Sequence, residues 1–219
     1  MQGFMRQIVP KHMIAAGFVL FLGGAFLTGG FFPLDMTEFN EDALLNWCVF
    51  ASVRDAGAIL AAASIIISGL RSIRIQGSSR RRIAMVLSGI GICLVFLTLN
   101  SVATIQMGNM LKSYDFGKMI GLIEFKLTQD NLPEEKRPLL MWKLAETRYL
   151  QSGERILIPI ENDEKKIYDP PEAIAEFKKN VDFSRQLYGL IKQWSYYAIY
   201  VWIGVLLLST LAGALSPED

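Results

Sequence analysis

The stretch "NWCVFASVRDAGAILAAASIIISGLRSIR", residues 46–74, decides the fold class. Between Trp47 and Leu70 it is long and apolar enough to cross a bilayer core about 30 Å thick, which needs roughly 20 helical residues. It nevertheless carries Arg54 and Asp55 side by side. An ionisable residue costs roughly 2.5–3.5 kcal/mol at the centre of a membrane helix. We therefore take the two charged residues as a candidate functional site.

Three further segments have the same length and apolar character. The chain of 219 residues is 52% hydrophobic with a mean hydropathy of +0.31, and its apolar residues are gathered in blocks. We therefore predict a mainly α membrane protein with four transmembrane helices, at 13–32, 47–70, 83–105 and 196–215. Its predicted domains are three transmembrane helices with short loops, a small α+β extracytoplasmic domain, and a fourth helix with a short tail, at 1–105, 106–194 and 195–219.

Charge bias between the loops predicts the orientation. The 71–82 segment holds five arginines and no acid, whereas the 33–46 loop holds four acids and no base. Lys/Arg bias in short loops sets topology, so we expect both termini in the cytoplasm and 106–194 outside. The five arginines are the topology determinant and could also bind anionic lipid headgroups; they are Arg71, Arg74, Arg80, Arg81 and Arg82.

Cysteine and sequon usage bear on the compartment. The 106–194 segment contains no cysteine and no Asn-x-Ser/Thr sequon, so it uses neither disulfides nor N-glycans. Both absences favour a bacterial inner membrane with a periplasmic domain. Cys48 and Cys93 lie in different predicted spans, and we expect both to be small apolar packing residues.

Local patterns predict the elements of the outer segment. The 116–127 stretch has an apolar helical face and could continue the third span. A helical segment starting near Asn131 is expected to end at Gly153, and Pro138 makes it either one kinked helix or two short ones. Residues 154–169 predict a hairpin with Pro159 on an edge strand. A single helix is expected over 171–215. Its apolar stripe either packs on the small domain or forms a signalling lever, and comprises Ile174, Phe177, Val181, Leu187 or Tyr188, Ile191 and Trp194.

The usual chemical constellations are missing from the sequence. The single histidine is His12, and there is neither a CxxC motif nor a Walker-type loop. Four acids of the first outer loop could bind calcium, but their spacing matches no EF-hand and a solvated loop is the simpler interpretation; they are Asp35, Glu38, Glu41 and Asp42. We predict no enzyme activity, no catalytic residue, no cofactor, no metal site and no nucleic-acid partner.

Arg54 and Asp55 are the candidate functional site. Arg54 lies roughly 25 Å along the helix from Arg71, near the outer edge of the membrane core. Adjacent helical positions point about 100° apart, so we expect no direct pair between the two charges. The small side chains of Ala58 and Ala62 mark where another helix approaches. Expected partners are a second subunit or polar groups at the outer end of the third span: Asn100, Ser101, Thr104 and Gln106.

These patterns predict a non-catalytic accessory or scaffold subunit of a larger inner-membrane complex. Its expected partners are the lipid bilayer and other membrane-protein subunits. In one alternative the protein is a transporter or channel component in which Arg54 and Asp55 line a proton or ion path. In the other it is a membrane sensor that couples the outer domain to the fourth helix.

Overall fold

The computed structural model describes residues 2–28, 41–159 and 165–215, and most of them are helical. Four of the helices are long and apolar enough to cross a membrane, judged by length and composition. The predicted spans fall in these four helices, except that residues 29–32 lie outside the described residues. In chain order the helices are α1 (Gln2–Thr28), α2 (Glu41–Gln76), α3 (Arg80–Ser113), α4 (Gly117–Leu127), α5 (Arg137–Ser152) and α6 (Glu172–Ala214).

The chain packs as two compact units. The first comprises Met1–Ala103 with Ser195–Asp219, and the second comprises Thr104–Trp194. The first unit holds α1, α2, most of α3 and the second half of α6. The second holds the end of α3, α4, α5, the first half of α6 and two short strands, β1 (Leu157–Pro159) and β2 (Lys165–Ile167). The placement of residues 106–194 outside a membrane stays a prediction.

Helix α2 supplies the centre of the first unit. Phe96 of α3 stacks on Trp202 of α6 with ring centroids 4.6 Å apart, and Phe21 of α1 meets Phe96 edge-on at 5.9 Å. Offset and edge-on aromatic contacts of this kind add to the burial of apolar area. The buried core of this unit includes one of the two cysteines and consists of Ala58, Ala62, Ile66, Cys93, Phe96 and Trp202.

The predicted loop at 71–82 is wrong, because only 77–79 lies outside a helix. Helix α2 continues to Gln76, and Gly77 then turns the chain with φ 75°, the left-handed conformation that glycine accepts most readily. The Arg82 guanidinium donates hydrogen bonds to the Gln76 carbonyl at 2.8 Å and to its side-chain oxygen at 2.9 Å. Because this cation caps the end of α2, the helix extends through residues that were predicted to be a loop.

The second unit begins with a break that the sequence did not predict. Helix α3 ends at Ser113 and α4 starts at Gly117, so the two do not form one helix. The Asp115 carboxylate accepts a hydrogen bond from the Gly117 N–H at 2.9 Å, which starts the new helix. The helical segment expected from Asn131 begins at Glu134 and is divided in two, which is one of the two predicted alternatives. A 3₁₀ turn at Glu134–Lys136 comes first, since Pro138 fits only the first turn of α5.

Other local predictions are confirmed. Gly153 ends α5 with φ 77°, and β1 pairs antiparallel with β2, with Leu157 opposite Ile167. Both strands of this two-stranded sheet are edges, so Pro159 removes no central ladder bond. The hairpin packs on α5 through Ala145, Ile158 and Tyr168, all nearly fully buried.

The expected helix over 171–215 is observed as α6, which runs without interruption from Glu172 to Ala214. Its predicted stripe is only partly buried. Val181, Leu187 and Ile191 are buried, but Phe177 is 49% exposed and Lys178 is buried instead. Lys178 can be buried because its ammonium pairs with the Asp182 carboxylate one turn later.

Candidate functional site

Glycines bring α1 and α2 into backbone contact. A Cβ added at Gly17 would lie 2.7 Å from the Ala61 nitrogen and 2.8 Å from the Gly57 carbonyl oxygen. A Cβ at Gly57 would lie 2.6 Å from the Gly17 carbonyl oxygen. No real Cβ occupies such positions, so only glycine permits this approach. We call the contact formed by Gly17, Gly24, Gly57 and Ala61 the glycine crossing.

Arg54 lies at one end of the glycine crossing. A Cβ at Gly24 of α1 would lie 2.6 Å from the Arg54 Cα, so the backbone of α1 touches the backbone that carries the charge. The residue exposures are 3% for Arg54 and 8% for Asp55. The predicted orientation of these charges toward protein is therefore observed.

Arg54 and Asp55 bind each other, so the prediction that they form no direct pair is wrong. The Arg54 Nε donates to Asp55 Oδ1 at 2.9 Å, and Nη2 lies 2.9 Å from the same oxygen. The angle between adjacent positions describes where Cβ atoms point, but three methylene groups let a guanidinium swing around the helix surface. The two charges neutralise each other, which offsets part of the cost of burying either alone.

The other predicted site residues are buried in the first unit or next to it. Ala58 and Ala62 are 4% and 0% exposed and belong to the core of the first unit. Asn100 is 5% exposed, and its Nδ2 donates to the Phe96 carbonyl at 2.8 Å. Thr104 is also buried. The contact that we predicted between the charged pair and Asn100 or Thr104 stays a prediction.

The five predicted topology arginines differ in their contacts. Arg82 caps α2, and Arg74 Nη1 donates to the Ala214 carbonyl at the end of α6 at 2.9 Å. Both place a cation at the negative end of a helix. Arg71 is half-buried. Arg80 and Arg81 are exposed, and among the described residues neither side chain has a hydrogen bond or ion pair, so both guanidinium groups are accessible to solvent.

A second charged cluster, in the second unit, was not predicted from the sequence. The Arg185 Nε donates to the Tyr114 carbonyl at 3.0 Å, and Nη1 donates to the Gln151 carbonyl at 2.8 Å. These carbonyls follow α3 and end α5, so one guanidinium caps two helix ends. Asp182 lies 3.5 Å from the same guanidinium. The only signal of this cluster in the sequence is an arginine beside an apolar helical stripe. That pattern does not identify the partners of the arginine.

Gln151 extends this cluster to the start of α4. Its Oε1 accepts hydrogen bonds from Arg185 Nη2 at 2.9 Å and from the Phe116 N–H at 2.8 Å. Its Nε2 donates to Asp115 Oδ1 at 3.2 Å. The Arg185 guanidinium also lies 5.8 Å from the Phe116 ring centre, within cation–π range. The cluster joins α5, α6 and the link between α3 and α4.

Two titratable groups of the second unit, Arg148 and Tyr168, have a raised pKa. Arg148 donates to Glu124 at 2.5 Å, and this hydrogen bond raises the pKa of its guanidinium, which stays charged. Burial raises the pKa of the Tyr168 phenol, with smaller contributions from Glu146 and Tyr149, so the phenol stays neutral. A phenol and a guanidinium held in these states supply no proton at neutral pH.

The four acids of the possible calcium site lie outside the side chains that the structure describes. Asp35 and Glu38 fall in the undescribed 29–40 segment, and the side chains of Glu41 and Asp42 are not described either. Within the described residues, no group of three His, Cys, Asp or Glu side chains could hold a metal ion.

Comparisons of the chain with models of protein families, with curated proteins and with solved structures found no match. Function is therefore inferred from the residues themselves.

Proposed function

We propose that the protein is a non-catalytic integral-membrane subunit, an accessory or scaffold component of a larger complex in a bacterial inner membrane. In this proposal both termini are cytoplasmic and residues 106–194 form a periplasmic domain. The proposal rests on one observation, the contact that the two buried charges make with each other. Arg54 and Asp55 bind each other beside the glycine crossing, where the backbones of α1 and α2 are in contact.

An apolar pair on the hairpin supports a docking role. Leu157 and Ile167 are opposite each other in the register of β1 and β2 and are 55% and 58% exposed. Cross-strand neighbours present their side chains on one face of a sheet. An exposed pair of large aliphatic side chains on a small domain is typical of a contact surface for another protein.

The experiment is native purification in mild detergent, with a photo-crosslinking residue at Leu157. We expect a membrane-protein partner in stoichiometric amount, crosslinked from Leu157. The matched control is Lys166, the exposed residue preceding Ile167 on β2, from which we expect much less crosslinking. Leu157→Asp should release the partner while leaving the amount of protein in the membrane unchanged. Recovery of a monomer alone, without a crosslinked partner, would contradict the proposal.

One observation favours the sensor alternative. Helix α6 is continuous from Glu172 to Ala214 and supplies Arg185 to one unit and Trp202 to the other. A sensor of this kind predicts that inserting one residue after Gly189 abolishes a response without altering partner binding. The transport alternative predicts a liposome flux that Asp55→Asn abolishes.

A further inference from the structure

Helix α4 of the second unit buries little of its apolar surface. Only Ile123 is buried in this helix. Met119 is 53% exposed, and Leu122 and Phe125 are each 63% exposed. These three residues follow one another at intervals of three, which places them on one side of an α-helix. The helix therefore presents an apolar stripe to its surroundings.

Two lysines lie within this stripe, between its apolar side chains. At about 100° per residue, Phe125, Lys118, Leu122, Lys126 and Met119 follow one another across roughly 120° of the helix circumference. Both lysines are exposed. We call these five residues the α4 face. The one acid of α4, Glu124, is on another side, where its carboxylate binds Arg148 at 2.5 Å. The α4 face is thus apolar and cationic, with no acidic side chain.

The apolar surface continues from α4 onto α5. A groove of about 420 Å³ starts at Lys126 and is lined on its far side by Leu132, Pro133 and Leu139. Leu139 is itself 64% exposed. Lys136 also lines the groove. The patch therefore extends beyond one helix, and in the groove the aliphatic and basic side chains are joined by the uncharged polar residues Gln129 and Asn131.

We propose that the α4 face binds the surface of an anionic lipid bilayer, lying in the headgroup region of the outer leaflet. The inference rests on the proposed function, which places residues 106–194 just outside the membrane. Helices with large apolar side chains on one side and lysines beside them bind in this way, because aliphatic groups enter the acyl boundary while ammonium groups contact phosphates.

The position of α4 along the chain is consistent with binding to a membrane surface. Gly117, its first residue, follows Ile105, the predicted end of the third span, by twelve positions. The helical part of this connection, residues 106–113, spans roughly 12 Å. The link at 114–116 then interrupts the helix and allows a change of direction. The membrane surface is therefore within the reach of the α4 face.

The test is spin-label accessibility in lipid nanodiscs of phosphatidylglycerol mixed with phosphatidylcholine. Single cysteines replace Leu122 or Phe125 in full-length protein carrying Cys48→Ala and Cys93→Ala. Leu207→Cys, on an exposed position of α6, is the membrane control, and Glu176→Cys is the aqueous control. We expect the ratio of oxygen to nickel-chelate accessibility at Leu122 and Phe125 to be several-fold above Glu176 and to approach Leu207.

The outcomes separate this inference from the proposal beneath it. If Leu207 is not accessible from lipid, the membrane-embedded fold itself is wrong. If Leu207 behaves as lipid-facing but Leu122 and Phe125 match Glu176, only the membrane contact of α4 is overturned. Labels at Leu122 and Phe125 that are immobile and inaccessible to both reagents would indicate a protein partner on the α4 face, which also overturns the inference.

A charge reversal at the two lysines provides a second test of the membrane contact. Lys118→Glu with Lys126→Glu should reduce the depth signal at Leu122 several-fold in the phosphatidylglycerol mixture. In nanodiscs of phosphatidylcholine alone, the same double variant should change the signal much less, because no anionic headgroup is lost as a partner. An equal effect in both lipids would contradict the role of the lysines.

Discussion

A guanidinium and a carboxylate on adjacent helix residues neutralise each other only if the arginine bends around its own helix, and Arg54 does so. Its Nε and Nη2 both lie 2.9 Å from one Asp55 oxygen. A buried pair of this kind is weak evidence for net stabilisation, since desolvating both groups is costly. Replacing only one residue of the pair is destabilising, because the remaining charge stays buried without the opposite charge beside it.

We expect Arg54→Leu to lower the free energy of unfolding by about 3 kcal/mol, and Asp55→Leu by a similar amount. The double variant should cost clearly less than the sum of the two, since it leaves no orphan charge. Val53→Leu, a neighbouring apolar change at a partly exposed position, is the control and should be close to neutral. The measurement is equilibrium unfolding in mixed micelles. Additive single effects would contradict the pair.

The direct pair was not predictable from helical spacing alone. Spacing gives the direction of Cβ atoms, and for Ala58 and Ala62 that direction correctly predicts burial. Arginine has enough rotatable bonds to place its charge away from that direction. The same freedom explains Arg185, whose carbonyl partners lie between 71 and 34 residues away in sequence. No local pattern encodes contacts at that separation.

At the scale of the element, the glycines of the first unit divide into two kinds. Gly17, Gly24 and Gly57 are at backbone contacts between α1 and α2. At Gly23, the immediate neighbour of Gly24, an added Cβ would meet no atom of the described residues within 4 Å. A helix that needed glycine only for flexibility would not distinguish adjacent positions in this way, so the difference assigns the packing role to particular residues.

We predict that Gly24→Ala and Gly57→Ala each destabilise the protein by about 1–3 kcal/mol, because the added methyl group pushes α1 away from α2. Gly23→Ala should be neutral or stabilising by up to about 1 kcal/mol, the helix-propensity gain of alanine over glycine. Thermal unfolding in one detergent compares all three variants. Equal effects of Gly23→Ala and Gly24→Ala would refute the glycine crossing.

The elements themselves were largely predictable, and their ends were predictable where local chemistry decides them. Gly153 ends α5 because a residue without Cβ accepts the left-handed conformation. The loop at 71–82 was predicted too long, since arginine is a good helix former and Arg82 supplies the cap of α2, so that only 77–79 lies outside a helix. The break between α3 and α4 was missed because Arg185, distant in sequence, takes the Tyr114 carbonyl.

At the scale of the whole molecule, four of the described helices are long and apolar enough to cross a membrane, and the predicted orientation places both termini on its cytoplasmic side. The arginines at the turn between α2 and α3 are also predicted on that side. Arg80 and Arg81 are exposed there, in keeping with a role in orientation that requires charge near the surface and no fixed partner.

The orientation predicts opposite labelling of two exposed sites. In cysteine-free protein, Ser78→Cys at the turn between α2 and α3 should resist a membrane-impermeant maleimide in intact bacterial spheroplasts. Gln129→Cys in the second unit should react readily. Both positions are exposed in the structure, so accessibility itself is matched. Labelling of both cysteines, or of Ser78→Cys alone, would contradict the predicted topology.

The contacts of Arg185 set an order for the assembly of the nascent chain. Its guanidinium holds carbonyls of Tyr114 and Gln151, which are synthesised 71 and 34 residues before it. During translation, these two helix ends are synthesised before the cation that joins them. The second unit therefore closes only after the first turns of α6 have been made, and a chain released before Arg185 would leave both helix ends without this cation.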